Sequence, residues 1–156
     1  MKTLLSLLLL LSSVFFSYGQ KALTFNEAKE QSLSSAHLDS LYASGINSDT
    51  TLGVFKNEQE EYIKSYQNLL QDLGKYLKKN NFDWDKPVKG FNRIYFDKSG
   101  KIDYFLYNFG PDQLTIKQEN RFGELLNGFI LEYRFQLSAD KNFSQCSRVT
   151  YMPIGK

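Results

Sequence analysis

The stretch from Phe91 to Phe109 limits what this chain can fold into more than any other. Two runs, Phe91–Phe96 and Ile102–Phe109, are rich in aromatic and β-branched residues and flank Asp97-Lys98-Ser99-Gly100. Such residues favour a pleated, half-buried surface, and an Asp followed shortly by Gly is what a tight reversal requires. Gly100 can take the positive φ that closes a three- to five-residue hairpin loop with a bulge. The spacing predicts a β-hairpin. On its second strand Ile102, Tyr104 and Leu106 alternate with Phe105, Tyr107 and Phe109, so both faces are apolar or aromatic. One helix covers one face only. The other needs the preceding segment, a second helix or a partner.

Two amphipathic helices are predicted around this ribbon. In the first, from Asn57 to Lys79, Asn57 is a good N-cap with Glu60 as its capping-box partner. Tyr62, Ile63, Tyr66, Leu69, Leu70, Leu73 and Leu77 recur at helical spacing. Glutamates open the segment, lysines close it, and Asn80-Asn81 offers a left-handed stop. Trp84, in the connection to the hairpin, reads as a plug between helix and sheet. The second helix starts from the Thr115/Gln118 capping box and carries Phe122, Leu125, Leu126, Phe129, Ile130 and Tyr133. Gly123 and Gly128 each weaken it by about 1 kcal/mol relative to Ala, which points to close approach, expected of the sheet. Phe143–Met152 predicts a final strand, ended by Pro153. Between Lys21 and Phe55 the Thr24/Glu27 pair predicts a short helix from Phe25 to about Ser34. The rest of that segment reads as an irregular lead-in.

The expected fold class is therefore α+β: a small antiparallel sheet packed by two amphipathic helices in the order α-β-β-α-β. The alternative is a cystatin-like or nuclear-transport-factor-like helix laid across a curved antiparallel sheet. The expected division is a signal peptide over 1–20, the lead-in over 21–56 and one domain over 57–156. Lys2, the apolar run Leu4–Phe16 and the small residues Ser17 and Gly19 predict export, with cleavage before Gln20 or Lys21. That run is short of the roughly 20 residues a spanning helix needs, so no stable membrane span is expected after cleavage. The destination is periplasmic or secreted. Cleavage removes one charged residue, Lys2, and lowers the net charge from +2 to +1. A nearly neutral domain does not suit nucleic acid. Cys146 is the single cysteine, so no internal disulfide forms; it is expected as a buried thiol on the last strand.

From Gly90 onward the order is hairpin, helix, strand. Phe91-Asn92-Arg93-Ile94-Tyr95-Phe96-Asp97-Lys98-Ser99-Gly100-Lys101-Ile102 resembles the strand, Asp-Gly turn and second strand of the TonB C-terminal domain. The helix around Arg121–Tyr133 and the closing Arg148-Val149-Thr150-Tyr151-Met152-Pro153-Ile154 fall where that family has its helix and final strand. The resemblance spans about residues 90–154 and implies a fold whose exposed last strand pairs with an extended peptide. It does not imply energy transduction, because the family's Tyr-Pro motif and Pro-rich spacer are not seen. The general character is also similar to small exported proteins of Gram-negative bacteria.

No residue pattern specifies a reaction, and no catalytic residue, metal site or cofactor is assigned. Ser34, Ser35, His37 and Asp39 are neighbours in sequence, whereas a triad needs convergence in space beside an oxyanion site. One His and one distant Cys cannot supply a zinc site. Asp83 and Asp85 lack the remainder of a calcium loop. Two binding readings remain. One is an interaction module that pairs an extended peptide or envelope protein at the edge near Arg148 and Thr150. The other is a small apolar or sugar ligand held against Tyr95, Tyr104 and Tyr107.

Overall fold

The aromatic ribbon lies at the centre of a five-stranded sheet rather than at its margin. A computed structural model describes residues 19–49 and 51–153; the predicted signal peptide, apart from Gly19 and Gln20, lies outside the described residues. In chain order the elements are β1 (Lys21–Thr24), α1 (Phe25–Glu30), α2 (Ser35–Leu41), β2 (Ala43–Ser44), α3 (Gln59–Lys79), β3 (Val88–Phe96), β4 (Ile102–Phe109), α4 (Ile116–Glu132) and β5 (Phe143–Tyr151). The strands lie in the order β1-β4-β3-β5-β2. Pairing is antiparallel for β3 with β4 and β5, and parallel for β1 with β4 and β2 with β5. Among the described residues no helix is long and apolar enough to cross a membrane.

The architecture is α+β, but it corrects the expected order and sheet type. The segment 21–56 is not an irregular lead-in: it supplies both outer strands and two short helices, which makes the sheet mixed. The Thr24/Glu27 capping box is present, and its helix ends at Glu30, before Ser32 turns to φ 61°. α3 starts from Glu58, which makes no side-chain cap, rather than from Asn57. Its stop is as expected. Asn81 has φ 58°, and Phe82 N–H reaches the Leu77 carbonyl at 3.0 Å while Asn81 N–H reaches that of Lys78 at 3.0 Å, a Schellman arrangement.

The hairpin turn is built as its residues require. Gly100 has φ 85°, and Asp97 Oδ1 accepts from Ser99 N–H at 2.8 Å, Ser99 Oγ at 2.6 Å and Lys101 N–H at 3.0 Å. The register slips between Tyr95 and Phe96, so Phe96 faces Ile102 while Tyr95 faces Tyr104. That irregularity turns Ile102 onto the face of Phe105 and Tyr107, away from Tyr104 and Leu106 where strict alternation would put it.

Each face of the sheet has its own cover. α3 and α4 close the larger core over Ile94, Phe96, Phe105, Tyr107 and Phe143. Trp84 is the expected plug, stacked on Tyr151 at 4.7 Å and tilted against Phe122 at 5.5 Å. Burying such a ring contributes about 1.5–3 kcal/mol. On the opposite face Ala28, Leu38 and Tyr42 cover Tyr95, Tyr104 and Leu106. The glycines of α4 do admit close neighbours. A Cβ on Gly123 would stand 2.6 Å from the Tyr107 hydroxyl, as expected of the sheet; at Gly128 the neighbour is Tyr76 of α3, at 2.5 Å.

Candidate functional site

Strand β5 is paired along its whole length with β3 on one side, but on the other side only at its first two residues. β2 covers Phe143 and Ser144, with Ala43 N–H donating to Asn142 O at 3.1 Å and Gly45 N–H to Ser144 O at 2.8 Å. Backbone groups of even-numbered residues therefore point outward. Continued at the strand's period of two, the outward groups belong to Cys146, Arg148 and Thr150. Among the described residues no strand lies beside Gln145–Tyr151 there. Gln145 Nε2 donates to the Cys146 carbonyl at 2.9 Å. The side chains of Cys146, Arg148 and Thr150 are all exposed.

Beside this edge runs a groove of about 420 Å³ between β5 and α3. Leu70, Gly74 and Gln71 form its helical wall, Val149 and Trp84 its inner wall, and Met152, more than half exposed, its end. Gly74 has no side-chain or backbone neighbour within 4 Å of a would-be Cβ, so the wall is open there. α3 presents this surface because the flank of its apolar stripe, beyond fully buried Leu69, Leu73 and Leu77, carries half-buried Leu70. Beneath the groove Asn92 Nδ2 donates to the Tyr151 hydroxyl at 2.7 Å. Burial holds the Tyr151 phenol above its ordinary pKa, with the Asn92 hydrogen bond opposing, so it stays neutral.

The opposite edge is closed. Asn127 of α4 acts as a substitute strand: Oδ1 accepts from Ala22 N–H at 2.9 Å, and Nδ2 donates to Ala22 O at 3.1 Å and to Gly123 O at 3.0 Å. Gln20 Nε2 adds a bond to the Ile130 carbonyl.

Arg148 and Thr150 thus fall together on the open edge. Tyr95, Tyr104 and Tyr107 do not form one platform. Tyr95 and Tyr104 meet edge to face at 6.5 Å beneath α2, whereas Tyr107 faces Phe122 at 5.1 Å across the sheet. All three are buried. Burial raises the phenol pKa of Tyr95 and Tyr107. Tyr95 donates to Asp39 Oδ1 at 3.0 Å, and Arg93 pairs with the other oxygen. Asp39 therefore fastens α2 to β3, and Ser34 caps α2 through His37 N–H at 3.3 Å. Asp83 accepts from Trp84 N–H at 2.8 Å and Asp85 from Gln118 Nε2 at 2.8 Å. Among the described residues no three metal-ligating side chains come together.

Cys146 corrects the expectation of a buried thiol: it is exposed. It has an even number on β5, and the second-face cluster under α1 and α2 contains no β5 residue. Sequence reasoning places Leu70 on the helical stripe but not in a groove, and it assigns no role to Gly74, Met152 or the edge-closing Asn127. The one available signal was Leu70, an apolar residue adjacent to Leu69 and so one step off the centre of the helical stripe. The chain matches no protein-family model, no curated protein and no solved structure.

Proposed function

We propose that this is an exported interaction module without catalytic activity, which takes an extended segment of an envelope protein as an added strand beside β5. The observation that carries the reading is the outer edge from Cys146 to Thr150, beside which no strand lies among the described residues and along which the α3 groove runs. In strand addition, main-chain hydrogen bonds supply affinity and pockets for alternate side chains supply selectivity. Here the outward backbone of Cys146, Arg148 and Thr150 would do the first. Leu70, Val149 and Met152 would do the second, favouring a segment with apolar residues at every other position. The resemblance of residues 90–154 to the TonB C-terminal domain supports the same reading, since it implies an exposed final strand.

Titration of the labelled protein with short synthetic peptides of alternating valine and threonine tests this. Saturable amide shifts are expected at Cys146, Arg148 and Thr150, with methyl shifts at Leu70 and Met152. Saturable shifts confined to Lys21–Thr24, or none at any peptide concentration, would rule it out.

A further inference from the structure

We propose that the cleft between α2 and the start of β4 binds a small organic ammonium ion carried on an apolar body. The cleft lies on the face of the sheet opposite the α3 groove, so the inference stands apart from strand pairing. Its volume is about 410 Å³, within the range of small-molecule sites. The floor is apolar and aromatic, made by buried Leu38, Tyr42 and Tyr104. At its rim stands Leu41, 56% exposed although it is a large aliphatic side chain. An apolar body seated in the cleft would cover it.

The polar wall selects the sign of charge. Asp103 Oδ2 accepts from the Tyr42 hydroxyl at 2.9 Å, and Oδ1 lies 3.1 Å from Lys101 Nζ. Each carboxylate oxygen has two lone pairs, so both keep acceptor capacity toward the cleft. Lys101 is held between two carboxylates, with Asp97 Oδ2 at 3.7 Å. Asp97 stands behind the lining, and with it the three charged groups leave one excess negative charge beside the cleft. Tyr42 is held neutral, its pKa raised first by burial and then by Asp103. An anion would have to draw Lys101 away from Asp103. A cation would find a carboxylate whose counter-ion is shared with Asp97, beside two tyrosine rings of the kind that attract cations. His37, on the exposed side of α2, borders the entrance.

The test uses three probes of one shape: 2-phenylethylamine, 2-phenylethanol and phenylacetate, followed by NMR on the full mature chain. The amine is expected to shift Leu33, His37 and Leu41 saturably and to bind about tenfold tighter than the alcohol, the gain of a charge-assisted over a neutral hydrogen bond. Phenylacetate is expected to bind weakest. Asp103→Asn should bring amine and alcohol within about twofold. Should Asp103→Asn fail to fold, Leu41→Lys decides: it adds a cation at an exposed position and should lower the amine-to-alcohol ratio. The proposal is overturned if phenylacetate equals the amine, if shifts fall outside the cleft, or if the foldable variant keeps the wild-type ratio.

Discussion

The two margins of the sheet are finished in opposite ways. At β1 the outward N–H and C=O of Ala22 are met by one side-chain amide, that of Asn127, which imitates the peptide group of a neighbouring strand. At β5 the cover stops after Ser144, and the strand runs on for seven more residues beside a groove. An unpaired edge is a hazard for aggregation, and folded proteins usually blunt it. Among the described residues, one edge is blunted by a dedicated residue and the other is left uncovered, apart from exposed Arg148 and the Gln145 bond to Cys146 O. That asymmetry is the ground on which strand addition is proposed at β5.

Proline substitutions break the comparison most sharply. Val149 N–H points toward Gly90 in the β3 ladder, while Arg148 N–H points outward. Val149→Pro removes a ladder bond and should cost about 1–3 kcal/mol, the cost of leaving its ladder partner unsatisfied, read as a marked fall of the denaturation midpoint. Arg148→Pro removes a donor the fold does not use, at the kind of edge position where Pro is tolerated. It should leave the midpoint nearly unchanged and abolish peptide-induced shifts. Equal destabilisation by the two would mean that the outer side of β5 is not open.

The next largest effect is expected at Gly45, which separates the covered from the uncovered part of β5. Its N–H bonds to Ser144, and a Cβ there would overlap the Tyr62 hydroxyl. Tyr62 is fully buried against Phe55 and Phe143, at 4.8 and 6.2 Å, and has nowhere to retreat. Gly45→Ala should cost about 1–3 kcal/mol, the usual cost of overpacking, and should release β2. Faster exchange of the Ala43 and Gly45 amides would show the edge lengthening. An unchanged midpoint would mean that the segment 21–56 is an appendage after all.

At the closed edge, Asn127→Leu keeps the volume and removes both bonds to Ala22. The loss should be about 1–3 kcal/mol, the cost of leaving buried backbone groups unpaired, with faster exchange at Ala22. A second open edge should also promote self-association, seen as concentration-dependent sedimentation. If Ala22 exchange is unaffected, the amide does not act as a substitute strand.

What the sequence made legible follows from which interactions are local. The hairpin turn, both threonine capping boxes, the Asn81 stop and most of the apolar stripes depend on residues within a few positions of one another, and each is where the residues put it; Ile63, expected on the first stripe, is instead 43% exposed. The edges are not local. Ala22 meets Asn127 across 105 positions, and β2 is a strand only because Ser144 lies beside it. Lys21–Thr24 is too short for a period to declare itself, so its pairing with β4 had no signal in the sequence. Cys146 was misplaced for the same reason: its burial depends on how far α1 and α2 reach across the second face. The two edge residues singled out, Arg148 and Thr150, do sit side by side, whereas alternation alone already separated Tyr104 from Tyr107.

The smallest expected effect belongs to the turn from which both edges hang. Burial of Asp97 opposes its ionisation, but hydrogen bonds from Ser99 and from Lys101 N–H, together with the Lys101 ammonium, outweigh it and hold the carboxyl below its ordinary pKa. A group whose folded pKa is depressed contributes stability that is present above its unfolded value and lost as pH falls through the folded one. Wild-type stability should therefore decline below about pH 4. Asp97→Asn keeps an acceptor for the turn but removes the charge, so it should lose a little stability at neutral pH and converge with wild type in acid. β3 and β4 carry β5 and β1 respectively, so amide exchange should quicken equally at Ala22 and at the inward amides of β5. A response confined to one margin would show that the two edges are not held by a common hairpin.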